Sequence, residues 1–147
     1  MAPPTNGSGK NNVNVLGDVV DIATFDQILE MDDDDDRDFS REIVYGFFEQ
    51  ADTTFDKMDQ AIKDKSLQEL SSLGHFLKGS SATLGLTKVK DACEKIQHFG
   101  AGTDESGTIR ISDQTLLLGN IKQTLTDVRK DYDDVAKRLK AFYGEKL

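Results

Sequence analysis

The chain has 147 residues and a mass of 16.3 kDa, enough for one domain with its own core. Asp and Glu outnumber Lys and Arg by 27 to 18, leaving a net charge of −9 and a pI near 4.6. A surface this acidic repels phosphate backbones and anionic lipid, so nucleic-acid binding and membrane docking drop out as readings. The single cysteine, Cys93, excludes an intramolecular disulfide and a cysteine zinc cluster. No apolar run approaches the roughly 20 residues that span a bilayer, and residues 1–10 lack the apolar core of a secretory signal. A reducing compartment is expected: the cytoplasm, with the nucleus open to a chain this small.

Both prolines, Pro3 and Pro4, stand at the start, and the rest of the sequence is free of them, as a helical domain requires. Residues 1–17 are rich in Pro, Asn, Gly and Ser and predict a disordered tail. A short helix is expected from residue 21 to about 31, capped by Asp21, with Ile22, Phe25, Ile28 and Leu29 at helical spacing. Five aspartates follow at 32–36, a solvated break from which Asp36 or Asp38 can cap the next helix.

That helix is predicted over 38–64, with Val44, Phe48, Ala51, Phe55, Met58 and Ile62 along one seam. A third starts near Ser66 and ends at Gly85, with Leu67, Leu70, Leu77 and Leu84 as its apolar stripe. A fourth covers 87–99, turning Val89, Cys93 and Ile96 inward, with Gly100 as terminator; 101–111 reads as loop. The last begins near Ser112 and ends near Gly144. Its Leu118, Ile121, Leu125, Val128, Tyr132, Val135, Leu139 and Phe142 alternate by three and four without a break. Narrow stripes of this kind pack near-antiparallel. The expectation is an all-α chain: an antiparallel four-helix bundle plus a short N-terminal helix, as one domain over 18–147.

Chemistry concentrates on the third helix. With Leu77 at the centre of the buried face, Leu70 and Leu84 fall within about 20° of it and His75 about 160° away. Around His75 stand Ser71, Ser72, Gly79 and Ala82, all small, with Lys78 three residues on. A glycine inside a helix costs roughly 1 kcal/mol against alanine and marks a close approach by something. An imidazole nitrogen can carry a phosphoryl group, and a nearby ammonium offsets the charge gained. The plain alternative is a surface histidine among residues that are small because they pack on a loop, and the residues alone leave both open.

The string His75-Phe76-Leu77-Lys78-Gly79-Ser80-Ser81-Ala82-Thr83-Leu84-Gly85 resembles the phosphorylation segment of histidine-containing phosphotransfer (HPt) domains. Its continuation to Cys93-Glu94-Lys95-Ile96-Gln97, together with Met31, the Asp run, Phe39-Ser40 and Gln50-Ala51-Asp52-Thr53-Thr54-Phe55, is similar to the fungal members that serve osmosensing phosphorelays. The resemblance covers residues 22–100 and implies a monomeric four-helix bundle with the active histidine exposed mid-helix. It implies that His75 takes a phosphoryl group from a receiver-domain aspartate of a hybrid histidine kinase and gives it to an aspartate of a response regulator. Lys78 would steady the phosphoryl oxygens, Gly79 would leave room for the receiver, Gln97 would orient the imidazole, and Ser80 matches a small polar position of lesser weight. Mg²⁺ would belong to the receiver, and the chain itself would need no cofactor, metal or ATP site.

The yeast-type members carry an arginine shortly after the glutamine, where this chain has Gly100-Ala101; Lys95 is the candidate second cation. The Asp run is one residue longer and the loop before the last helix much shorter than in those members. Ile28, Met31, Phe39 and Ile43 need a home outside the main seam: either the short helix folds over them, or some remain exposed as a docking patch for receivers. An EF-hand loop begun at Asp32 fails, having Arg37 at position 6 and Ile43 at position 12. His98 is expected to be partly exposed at a helix end, interacting with the dipole, and Cys93 to be inert core. A non-catalytic adaptor that binds receiver domains is the competing function, and a metal or nucleotide enzyme a third, for which no motif speaks.

Overall fold

The computed structural model describes residues 16–17, 19–33 and 36–144. Among these the chain forms five helices and no strand: α1 (Ile22–Leu29), α2 (Asp38–Lys63), α3 (Leu67–Leu84), α4 (Thr87–Gly100) and α5 (Gln114–Phe142). Helix α3 packs on both α2 and α4, α5 closes the bundle against α4 and α2, and α1 lies across α3. The four-helix bundle with a short N-terminal helix is the expected architecture. No helix among the described residues is long and apolar enough to cross a membrane.

The predicted stripes form the core. Val44, Ala51, Phe55, Met58, Leu70, Leu77, Leu84, Val89, Cys93, Ile96, Ile121, Leu125, Val128, Val135 and Leu139 are all buried, while Leu118 yields its place to Leu117. Phe47, Phe48 and Phe55 gather around Tyr132, whose hydroxyl donates to the Phe48 carbonyl at 3.3 Å. Burial pushes the Cys93 thiol up to about 12.

Helix ends follow local chemistry, with one correction. Ser66 caps α3 by accepting from the Glu69 amide, Asp113 caps α5 by accepting from the Leu116 amide, and Gly85 ends α3 in a left-handed conformation (φ 78°). Gly85 also meets α1: a Cβ there would stand 2.7 Å from the Asp21 carbonyl, and that carbonyl's residue donates its amide to the Gly85 carbonyl at 2.7 Å. Gly100, expected to stand just past the end of the helix, is the last residue of α4 and is buried, with α3 too close for any side chain there. At the start of α2, Asp36 accepts from the Asp38 amide, and Asp32 takes both the amide and the hydroxyl of Ser40 at 2.8 and 2.6 Å. The Tyr143 hydroxyl donates to the same Ser40 Oγ, tying the end of α5 to the acidic break.

Of the tail expected over residues 1–17, residues 1–15 lie outside the described residues, and the expectation fails at Leu16, which is fully buried in the core. Asp34 and Asp35 of the acidic run also lie outside them.

Two outcomes are expected. Gly85→Ala should cost at least about 2 kcal/mol, seen as a thermal midpoint lowered by roughly 5 °C, because it combines a left-handed backbone with a clash on α1. Cys93 should resist a thiol reagent at pH 8 in the folded protein and react once urea unfolds it, since the thiolate is excluded by burial.

Candidate functional site: an exposed histidine between α3 and α4

The stripe of Leu70, Leu77 and Leu84 fixes how α3 is rolled, and the roll puts His75 on the outside. His75, Ser72, Gly79 and Ala82 are exposed and Lys78 is half-buried, as the helical wheel requires. Among the described residues nothing lies within 4 Å of where a Cβ on Gly79 would stand, so none of them uses the space that glycine leaves. The bundle keeps a clearing one turn from the imidazole.

Helix α4 supplies the second half of the site. Gln97 Nε2 stands 3.3 Å from His75 Nδ1, while Gln97 Oε1 is buried without a hydrogen-bond partner. An amide side chain has two nearly isosteric orientations. With nitrogen towards the ring, it donates to a bare Nδ1 and leaves the proton on Nε2. With oxygen towards the ring, it accepts from Nδ1–H, the orphaned oxygen gains a partner, and Nε2 keeps a free lone pair. Only the second arrangement makes Nε2 a nucleophile. In either one Nδ1 is engaged, and no hydrogen bond among the described residues engages Nε2.

The Lys78 ammonium pairs with Glu94 of α4 at 3.7 Å, both side chains partly exposed. Such a pair is worth little in water, so an arriving dianion can draw the ammonium away. Ser80 turns from the imidazole: its hydroxyl donates to its own helix at the Phe76 carbonyl, and the residue lines a groove between α3 and α2. Lys95 pairs with Glu105 at 3.6 Å and lines the groove that α4 shares with α5. Two residues from Gln97, it is turned about 160° from the residue that meets His75, so it does not stand in as a second cation.

Of the four apolar candidates, Ile28 is buried and leaves the patch, since α1 folds down with both Ile28 and Leu29 inward. Met31 and Phe39 are 68% and 43% exposed and Ile43 is partly so. Ile43 lines the α2–α3 groove, about 350 Å³, with Gly46, Phe47, Ser80 and Leu84. Phe76, half exposed beside His75, was not among the candidates. Its signal was present: one residue from Leu77, it sits about 100° off the buried stripe, where an apolar ring has no core to enter.

His98 is partly exposed in the last turn of α4, but a loop holds it. Its Nδ1 donates to the Glu105 carbonyl at 2.7 Å, and Gly107 lies against its ring. Asp104 organises that loop. Hydrogen bonds from the Ile109 amide and then the Ser106 hydroxyl hold its carboxyl below the usual range. No cluster of potential metal ligands occurs among the described residues.

The sequence profile of the Hpt domain family matches residues 42–135, which include His75, Lys78, Gly79, Ser80, Glu94 and Gln97. The chain belongs to the HPt family. It is 46% identical over 125 residues to the multistep phosphorelay regulator 1 of Schizosaccharomyces pombe, covering 85% of this chain and 42% of that protein, so it spans under half of that relative's length. It is 36% identical over 128 residues to the phosphorelay intermediate protein of Saccharomyces cerevisiae, covering 82% of this chain and 76% of the relative. Among solved structures, it is similar to the S. cerevisiae histidine phosphotransfer signalling protein crystallised with the receiver domain of its downstream response regulator. There the TM-score is 0.77 at 33% identity, over 88% of this chain and 97% of that one.

Gly79→Ala should raise stability by about 0.5–1 kcal/mol, measured by urea unfolding, because the methyl meets nothing and the helix loses a flexible residue. The same variant should accept phosphoryl groups from a receiver more slowly. An unchanged rate would mean that the clearing is not used.

Proposed function

We propose that the chain is a phosphorelay carrier. His75 accepts a phosphoryl group from a receiver-domain aspartate of a hybrid histidine kinase and passes it to an aspartate of a response regulator. The observation that carries this is the imidazole itself: exposed in mid-helix, engaged at Nδ1 by Gln97, unbonded at Nε2 and bordered by the clearing at Gly79. Membership of the HPt family and similarity to fungal phosphorelay proteins point the same way, and the resemblance of the motif segments adds an osmosensing type of relay to the proposal.

The chemistry follows from that geometry. The Nε2 lone pair attacks phosphorus in line, the N–P bond forms, and the P–O bond to the receiver's aspartate breaks and releases a carboxylate. The proton stays on Nδ1, held by Gln97 Oε1. Lys78 leaves Glu94 and pairs with the phosphoryl oxygens, which bring roughly two negative charges. The loose transition state of phosphoryl transfer is helped mainly by positioning and by charge, and these residues supply both. Transfer onward reverses the steps against a second aspartate. Mg²⁺ is assigned to the receiver, and the chain works as a carrier without an ATP site of its own.

Receivers are proposed to dock on the face that α2 and α3 share. Phe39 lies one turn beyond Ile43 at one end of the groove, and Phe76 one turn before Ser80 at the other. Met31 adds a third exposed apolar side chain, on the segment that leads into α2. The acidic surface around these residues would set partner choice and on-rate. A monomer in the cytoplasm, with access to the nucleus, fits the free buried thiol and the small mass.

The test is transfer of label from a phosphorylated receiver domain to the wild type and to His75→Gln. An acid-labile, alkali-stable label on the wild type alone is expected, with the helical circular dichroism of the variant unchanged. Label on both proteins would move the acceptor elsewhere, and label on neither, despite receiver binding, would make the chain an adaptor.

A further inference from the structure

The contact between Gln97 and His75 spans two helices, and its length depends on how closely they approach. Helices α3 and α4 meet through a reciprocal pair of glycines. A Cβ on Gly74 would stand 2.7 Å from the Cys93 carbonyl oxygen, 2.9 Å from the Gln97 amide nitrogen and 3.3 Å from the Gln97 Cα. Cys93 and Gln97 are four residues apart, so Gly74 lies directly over one backbone hydrogen bond of α4. A Cβ on Gly100 would stand 2.6 Å from the Ser71 amide nitrogen and 2.7 Å from the Leu67 carbonyl oxygen, over the equivalent hydrogen bond of α3. Between these points the Ser71 hydroxyl donates to the Gln97 carbonyl at 2.9 Å.

The two helices therefore contribute matching halves. Ser71 with Gly74 on α3 faces Gln97 with Gly100 on α4, and each glycine follows its polar partner by three residues. His75 is next to one glycine, and Gln97 is the polar member of the other half. All the atoms that the missing methyls would strike are backbone, so no side-chain rotation could relieve the clash.

Magnitudes show what this crossing controls. Real Cβ atoms essentially never stand closer than 3.0 Å and ordinary contact begins at 3.4 Å, so a methyl at Gly74, 2.7 Å from the Cys93 oxygen, would push α4 back by about 0.3–0.7 Å. The Gln97 to His75 hydrogen bond is already 3.3 Å long, at the outer edge of useful geometry. A retreat of that size would break it. The reach of Gln97 has no margin beyond what the two glycines give it.

We propose that Gly74, Gly100 and Ser71 are positioning residues of the phosphotransfer site. By setting the separation of α3 and α4 they hold the Gln97 amide on His75 Nδ1, and so decide which ring nitrogen carries the proton and which is free to attack. They touch no substrate and act through Gln97 alone. The proposal rests on His75 being the phosphoacceptor.

The experiment compares wild type, Gly74→Ala, Ser71→Ala, Gln97→Ala and the Gly74→Ala/Gln97→Ala pair. The first readout is the long-range ¹H–¹⁵N spectrum of the His75 imidazole at neutral pH, which reports the two tautomers without any partner or phosphate. Gly74→Ala is expected to give a His75 spectrum like that of Gln97→Ala, and Ser71→Ala a spectrum between that and the wild type. The second readout is transfer from a phosphorylated receiver. Gly74→Ala should slow it by about two- to tenfold, the range for one lost hydrogen bond, and should add nothing once Gln97→Ala is in place. A wild-type imidazole spectrum in a folded Gly74→Ala protein would overturn the proposal, as would an equal slowing with and without Gln97. Should Gly74→Ala fail to fold, Ser71→Ala decides: a His75 spectrum unchanged from the wild type would overturn it. Wild-type protein that accepts no label would defeat the phosphocarrier reading instead, leaving the imidazole comparison to judge the crossing.

Discussion

The contact between Gln97 and His75 depends on one distance, the separation of α3 from α4. Hydrophobic burial alone would not set it so short, because two leucine-faced helices settle at 8–10 Å between axes, as their side chains dictate. Here backbone meets backbone at Gly74 and Gly100. Glycine is the costliest residue in a helix interior apart from proline, and three of the glycines in α3 and α4 stand close to His75 in sequence or across the interface. Two of them bring helices together; the third, Gly79, keeps a surface bare. The same residue type serves opposite ends, and only the surroundings tell which.

The proposed role asks an acidic protein to handle an anionic cargo. The net charge of −9 opposes a phosphoryl group, yet the local arrangement does not. Lys78 is provided with a partner, Glu94, at a distance and exposure where the pair holds weakly. The cation is kept near the imidazole without being locked there. Around it the small residues Ser72, Gly79 and Ala82 add no charge, so the broad negative field remains with the periphery, where it can guide an encounter without entering the chemistry.

Much of this was legible in the sequence, for a physical reason. Helical periodicity is local, so the stripes of α2, α3 and α5, the Ser66 and Asp113 region, the Gly85 stop and the outward face of His75 follow from spacing within one segment. What escaped lies between segments. Gly74, Gly100 and Ser71 meet neighbours 19 to 33 residues away, and Gly100 was read only as a stop because a glycine after an apolar stripe looks like one. The link from Asp32 through Ser40 to Tyr143 joins residues more than a hundred positions apart. Ile28 was misplaced since an eight-residue helix carries too few turns to show which side its apolar pair takes. Gln97 was placed by resemblance, and only the fold shows why it is at the end of its reach.

The loop after α4 illustrates a different kind of freedom. Its polar groups are satisfied among themselves: Asp104 gathers the amides of Thr108 and Ile109, and a single backbone bridge pairs Thr103 with Arg110. It is held to α4 by main-chain and side-chain bonds at His98 and by the Glu105 pair with Lys95, and none of these touches the Gln97 side chain that meets His75. A segment closed in this way can lengthen cheaply, because each doubling of a loop costs only about 0.6 kcal/mol of closure entropy. Lineages are therefore free to insert or delete there without moving the imidazole. The loop has room to change length, while the two glycines of the crossing have no room for even one methyl.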